Sequence, residues 1–293
     1  MRTSVVIPSL KRPSVLHDTV LSVLAQTCPP QQILLAVPDP EHVDRATLAL
    51  PGVQCIIAPM GSAAQRNAGV KLVLPDTELV VFFDDDVELM PDYLAWAAHA
   101  MRLRPDIALL TGHVLADGAK RGGIAREAAR RIVQKTPHEP STGELVIRNV
   151  FSGYGCNMAV RRHVFSDLRF DERLPLYGWL EDLDFSQGCR RYGEVAECAQ
   201  MRLVHLHTSS GRTSGRRYGF SQIMNSFYLY RKGRVPLPKM LVEYWAKPMT
   251  ANLVLSLLPS GPTDRRGRLR GNLIALAHLA RGDVRPEYIL EMS

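Results

Sequence analysis

Between Leu79 and Phe83 the chain runs through five consecutive apolar residues, LVVFF, and then stops on three aspartates, Asp84, Asp85 and Asp86. The run is rich in β-branched and aromatic side chains, so it predicts a strand buried on both faces, as in the middle of a parallel sheet. Three adjacent carboxylates at the end of such a strand repel one another and are costly to hold unless a cation or hydrogen-bond donors compensate them. A hard divalent metal, Mg²⁺ or Mn²⁺, is the simplest compensation, because it takes oxygen ligands and fills its other positions with water and phosphate oxygens. Open α/β sheets bind ligands beyond the carboxyl ends of their strands, where these aspartates are expected. The plain alternative is a strand followed by a solvated acidic turn.

The surrounding pattern supports an α/β sheet. Thr3 to Ser9 (TSVVIPS) is a short strand, and Val15, Val20, Val23 and Leu24 recur at helical spacing until Cys28-Pro29-Pro30 ends the helix. Strands follow at Gln32 to Val37 and Val53 to Ala58, a helix at Ser62 to Leu74, and then the acidic strand. This alternation predicts a mostly parallel, Rossmann-like sheet flanked by helices. Beyond it come a helix at Asp92 to Arg104, a strand at Ile107 to Val114, and a polar stretch, 117–149, read as an insertion with a helix near Ile124 to Val133. Asn157 to Val160 is a strand, Arg162 to Phe165 a helical turn, Glu181 to Arg191 a helix, and Met201 to His207 the last strand.

Composition is that of a soluble globular chain: of 293 residues, 46% are hydrophobic and 22% charged. Five cysteines without a CxxC pair suit a reducing compartment. No signal peptide is expected at Met1, and the run that comes closest to a membrane span, Leu253 to Leu258, stops at Pro259, far short of the ~18 residues needed to cross a bilayer. The expected location is cytoplasmic, with peripheral attachment to the inner face of a membrane as a further expectation. Residues 202–293 carry 15 Lys and Arg against 5 Asp and Glu, so the excess positive charge belongs to the last third. There Leu269, Leu273, Leu276 and Leu279 form one helical stripe beside Arg265, Arg266, Arg268 and Arg270. Such a stripe either packs against the main domain or rests on an anionic membrane surface.

Four segments together, VVIPSLKRP at 5–13, GSAAQRNAGV at 61–70, VVFFDDDVELMP at 80–91 and GWLEDLDFSQGCRRYG at 178–193, resemble the family-2 glycosyltransferases of the GT-A fold. The resemblance spans about 200 residues in the family's order. It implies a GT-A catalytic domain over 1–210 with a basic helical extension over 211–293. It implies an inverting, metal-dependent enzyme that moves a sugar from a nucleotide-diphosphate donor to a hydroxyl on a carbohydrate or lipid-linked acceptor, in polysaccharide or glycolipid synthesis. Pro8, Ser9 and Arg12 match the donor-nucleotide loop. Asp39, in Pro38-Asp39-Pro40, is the best match for the base-contacting aspartate, although the family's acidic turn is altered here. Arg66 matches the arginine on the nucleotide side of the pocket, where a guanidinium fits phosphate.

The aspartate triplet matches the family's Asp-x-Asp motif, which implies that Asp86 binds Mn²⁺ or Mg²⁺ while Asp84 or Asp85 meets ribose or a metal-bound water, Asp84 also being a candidate ligand. Glu181-Asp182 matches the pair that supplies the catalytic base. Asp182 is the choice, with Glu181 and Asp184 as competitors; acids at a helix N-terminus are also favoured by the helix dipole alone. Trp179 either stacks on a sugar or packs in the core. His205 and His207, two residues apart on the last strand, share a face, and either can complete the metal site. The glycine-punctuated basic segment 209–217, with Arg212, suits a loop closing on the diphosphate.

Two other readings stand beside this one. Phe82-Phe83-Asp84-Asp85-Asp86-Val87 also looks like the nucleophile motif of haloacid-dehalogenase-like phosphatases, but that motif lies near the N-terminus and leaves the Glu-Asp helix without a role. A non-catalytic binding module would use the basic last third. No nucleic-acid partner is expected, because that region lacks the aromatic interleaving of a base-stacking platform.

Overall fold

The structure is a computed structural model that describes residues 1–120, 122–138, 144–208, 214–257 and 263–292. It divides into two compact units: the first is Met1–Met60, Ala64–Phe170 and Phe185–Gly211, and the second is Gly61–Ala63, Asp171–Asp184 and Arg212–Ser293.

The first unit is built from β1 (Thr3–Pro8), α1 (Pro13–Leu24), β2 (Gln32–Val37), α2 (Arg45–Leu48), β3 (Val53–Ile57), α3 (Ser62–Lys71, which opens in the second unit), β4 (Leu79–Phe83) and β5 (Val87–Leu89). It continues through α4 (Tyr93–Leu103), β6 (Ile107–Asp117), α5 (Arg126–Lys135), β7 (Ile147–Asn149), β8 (Asn157–Arg161), the end of α6 (Glu181–Cys189) and β9 (Glu194–His205). The sheet order is β3-β2-β1-β4-β8-β6-β9-β5, with β7 paired to β9. β3, β2, β1 and β4 are parallel neighbours, as is the β6/β9 pair. β8 inserts antiparallel between β4 and β6.

Every residue of β1, β2 and β4 is buried, which is why these strands read as unbroken apolar runs rather than alternations. α1 covers one face with Leu16, Thr19, Val20 and Val23, and Pro13 opens it where no intrahelical N–H is needed. Under β4, Phe82 meets Phe170 edge-on at 5.2 Å, and Phe170 stacks on Phe185 at 3.9 Å between centroids. Because β1, β2 and β4 run in one direction, Ser9, Asp39 and the aspartate triplet lie at the same carboxyl edge of the sheet.

Several boundaries differ from the sequence reading. The last strand begins at Glu194 and ends at His205, so it is longer at its start and shorter at its end than Met201 to His207. Glu194 and Glu197 hide its apolar alternation, yet its neighbours still pair with it along most of its length. His207 lies beyond the strand with φ 51°, so strand alternation does not put it on the face of His205. β6 runs on to Asp117, and the stretch read as an insertion contains, besides the expected helix (α5), the strand β7. α3 stops at Lys71 rather than Leu74, and β5 is a short strand where the sequence reading assigned no element.

The second unit is helical. α7 (Gly215–Arg231) is followed by α8 (Leu237–Lys239), a π-helical stretch (Met240–Ala246), α9 (Lys247–Ser256) and α10 (Arg265–Ala280). α7 and α10 touch backbone to backbone: a Cβ at Gly219 would lie 2.0 Å from the Arg268 carbonyl oxygen, and one at Gly271 would lie 2.0 Å from that of Arg216. Glycine is what permits so close a crossing. Leu276 and Leu279 of the α10 stripe pack on the cluster of Phe220, Ile223, Met224, Ala275 and Ile289, while Leu273 stays exposed. Asn252 of α9 donates to Gln222 of α7 (3.1 Å) and Asn272 of α10 (3.0 Å), a buried polar link among three helices. Among the described residues no helix is long and apolar enough to cross a membrane.

Candidate functional site

β4 delivers Asp84, Asp85 and Asp86 in succession, and each meets different partners. Asp84 accepts from Arg66 through Oδ1 at 3.0 Å. The guanidinium is 2% exposed, also donates to the Gly155 carbonyl at 2.9 Å, and lies over the Phe170 ring, so it is held by packing. Asp85 is fully inside: Ser9 Oγ donates to it and Arg12 grips both its oxygens. Asp86 Oδ2 accepts from Arg12 Nη1 (3.2 Å) and from the Thr208 amide (2.8 Å), while Oδ1 faces His205 Nε2 at 3.5 Å.

His205, the last residue of β9, turns Nε2 also towards Asp84 Oδ2, at 3.9 Å. One donor atom from each of Asp84, Asp86 and His205 falls within 4.8 Å of the others, a group that can hold a metal ion. Each carboxylate spends one oxygen on a guanidinium and turns the other toward the imidazole. Behind the ring, Nδ1 lies 3.1 Å from Asp117 Oδ1, and Tyr154 OH donates to Asp117 Oδ2 at 3.2 Å.

The electrostatics follow from burial set against these partners. Burial pushes the Asp85 carboxyl up, to about 7; Arg12 pulls it down and the Asp86 carboxylate adds to the rise. Burial acts the same way on Asp86, yet the hydrogen bond and charge of His205, with Arg12 and the Thr208 N–H, hold it well below the usual carboxylate range. The His205 imidazole would be lowered by burial, but the hydrogen bonds to Asp117 and Asp86 outweigh that and raise it to about 10. The cluster therefore keeps its charge only because acids and cations are interleaved.

The remaining candidates fall into two groups. Pro8 and Ser9 are buried at the end of β1, and Gln65 donates to the Ser9 carbonyl at 2.9 Å. Asp39 is exposed after β2, and its side chain caps the turn Pro40–His42 by accepting from Glu41 N. The His207 ring lies 5.6 Å from that of His205. Thus Ser9, Arg12, Arg66, the triplet and His205 converge in the first unit, whereas Asp39, at the same edge of the sheet, is exposed and caps its own turn.

In the second unit, Trp179 lies 5.1 Å from Tyr218 and 6.5 Å from Tyr177 between ring centroids. Glu181 is 5% exposed, and Asp184 is 3% exposed and paired with Lys232 (2.7 Å) and Arg234 (3.1 Å). Asp182 is half-buried and accepts from Leu183 N at 2.8 Å. Arg212 lies outside the described residues.

Asp117, Tyr154 and Thr208 were not among the sequence candidates. Asp117 has no local signal: it reaches His205 through strand register, being its cross-strand partner between β6 and β9. Tyr154 and Thr208 arrive from loops, which carry no periodicity.

Residues 1–217 match the family described as Glycosyltransferase like family 2. Among solved structures, S. aureus TarS 1-349 in complex with UDP-GlcNAc is similar at 13% identity and TM-score 0.58, covering 99% of this chain and 88% of that one. The mannosyltransferase PcManGT from Pyrobaculum calidifontis, in complex with GDP-Man and Mn²⁺, is similar at 14% identity and TM-score 0.56, covering 99% of this chain and 85% of that one. At such identities the likeness establishes the fold, GT-A. No curated protein matches the chain.

Proposed function

The chain belongs to glycosyltransferase-like family 2, and from that premise we propose that it transfers a sugar, with inversion, from a nucleotide-diphosphate donor to a hydroxyl acceptor, aided by a divalent cation at Asp84, Asp86 and His205. The observation that carries this reading is the convergence of those donor atoms within 4.8 Å at the carboxyl edge of the parallel strands. The donor set fits the ion: two carboxylate oxygens suit Mn²⁺ and Mg²⁺, and the imidazole favours Mn²⁺. When bound, the cation supplies Lewis-acid charge to the diphosphate as the nucleotide leaves.

The chain's own residues do the rest. Arg66 and Arg12 hold the acids in place, and Arg12 and Ser9 border the donor loop. Asp39 is the base-side candidate after β2, Arg212 a phosphate-side candidate, and His207 an alternative ligand. Asp182 receives the proton of the acceptor hydroxyl at a carboxylate oxygen as that hydroxyl attacks the anomeric carbon. Its half-burial supports it over Asp184, which two cations neutralise, and over the more enclosed Glu181. Trp179, with Tyr177 and Tyr218, offers aromatic faces for a sugar ring. The catalytic domain is assigned to 1–210 and a basic helical extension to 211–293.

A panel of nucleotide sugars with Mn²⁺ and with Mg²⁺ tests the reading. One donor is expected to be hydrolysed slowly without acceptor, and its nucleoside diphosphate should raise Tm only when the cation is present. No cation-dependent shift with any nucleotide would overturn it.

The acceptor in this reading is a carbohydrate or lipid-linked hydroxyl, in the synthesis of a cell-envelope polysaccharide or glycolipid at the inner face of a membrane. Leu237, Leu241, Val242, Leu253, Val254 and Leu257 of the second unit are exposed. Arg265 and Arg266 reach Asn252 Oδ1 and the Ser256 carbonyl, each at 3.2 Å, so two cationic residues lie against α9, the helix that carries Leu253 and Val254. That pattern suits an anionic bilayer surface. The protein is expected to co-sediment with vesicles containing anionic lipid at low salt and to release at high salt. Leu253→Glu with Leu257→Glu should weaken the association; no co-sedimentation with the anionic vesicles at low salt would remove the membrane partner.

A further inference from the structure

We propose that Asp117, itself fixed by Tyr154, is a positioning residue that holds the His205 ring with Nε2 turned toward Asp84 and Asp86. The proposal rests on the reading of those three residues as a cation site and adds what keeps the site in order.

The placement comes from the sheet. β6 and β9 are parallel neighbours, and Asp117 and His205, the last residues of each strand, are register partners. Residues so paired stand side by side, which brings Asp117 Oδ1 to 3.1 Å from His205 Nδ1. The carboxylate is pinned from two other directions. The Ala119 amide donates to Oδ1 at 2.9 Å and Tyr154 OH donates to Oδ2 at 3.2 Å. Tyr154 is fixed in turn: its ring packs edge-on against His205 at 5.7 Å, and its amide donates to Thr111 Oγ1 of β6 at 3.1 Å.

The chemistry follows from what an imidazole must present to a cation. A cation that binds displaces the Nε2 proton of the ring, and with the remaining N–H fixed on Nδ1 the lone pair lies on Nε2. Asp117 accepts the Nδ1 hydrogen and thereby selects the tautomer that can bind a cation on the side of Asp84 and Asp86. It also sets the ring plane, because a second contact behind the ring stops rotation about χ2. A carboxylate behind a metal-bound histidine further strengthens it as a ligand, and loss of such an outer partner typically costs about 10–100-fold in metal affinity.

Calorimetric titration with Mn²⁺ alone, together with pulsed electron paramagnetic resonance of the bound ion, tests this on the full chain. Wild type should bind Mn²⁺ and show coupling to a directly bound imidazole nitrogen. Asp117→Ala should bind roughly 10–100-fold more weakly and lose that coupling, while its Tm stays near wild type. Asp117→Asn keeps an acceptor oxygen and should restore both the coupling and most of the affinity. Wild-type affinity and coupling in Asp117→Ala would overturn the proposal. A separate result strikes the reading beneath it: if His205→Ala binds Mn²⁺ as wild type does, or if wild type shows no nitrogen coupling, His205 is not a ligand and Asp117 has nothing to position.

Discussion

Asp86→Asn is expected to abolish cation binding and to lower sugar transfer by about 10³-fold or more while the fold persists. Asp86 gives Oδ2 to Arg12 and the Thr208 amide and turns Oδ1 toward His205. The amide keeps the shape but not the charge. An uncharged ligand forfeits part of the several kcal/mol that a bound cation contributes to the transition state, and ~1.36 kcal/mol corresponds to a tenfold change in rate. Arg12 retains both its contacts to Asp85, so the loop after β1 stays anchored. The checks are Mn²⁺ titration, turnover and Tm on the same preparation. Chelation of wild type with EDTA should reproduce the loss, and added Mn²⁺ should reverse it in wild type only. Undiminished turnover in Asp86→Asn would remove Asp86 from the site.

Asp182→Asn should separate chemistry from binding. A lost general base typically costs roughly 10²–10⁴-fold in turnover, and because Asp182 is not among the assigned cation ligands, Mn²⁺ and nucleoside diphosphate should bind as in wild type. The expected pattern is a fall in kcat with little change in KM for the donor, as for a group that acts only in the transition state. The neighbouring acids serve as controls with a different signature. Asp184→Asn removes the charge of a carboxylate that is 3% exposed and held by Lys232 and Arg234, so it should lower Tm even though Lys232 keeps Asp171 at 2.7 Å. Wild-type kcat in Asp182→Asn would transfer the base role to Glu181.

The chain announces its sheet wherever burial is two-sided. β1, β2 and β4 read as apolar runs because both their faces are covered, and the order of the four quoted segments carries the GT-A fold, which the family match and the structural neighbours support. Where one face is polar, the reading fails: the glutamates in β9 hide its first half, and β5 is too short to show a period. His205 was legible as a histidine at a strand end, but its companion His207 lies past the strand in a left-handed turn, which spacing cannot reveal.

Local sequence determined the strand, the acidic triplet that ends it and the basic helical last third, because those features depend on residues that are neighbours along the chain. Tertiary structure alone decided how the triplet is divided: Asp84 to Arg66, Asp85 to Ser9 and Arg12, Asp86 to Thr208 and His205. It alone brought in Asp117, 88 residues from His205 in sequence. The physical reason is that a carboxylate's partner, and with it the oxygen left for a cation, is set by strand register and by loops arriving from distant segments, and neither leaves a mark on the residues beside it in the chain.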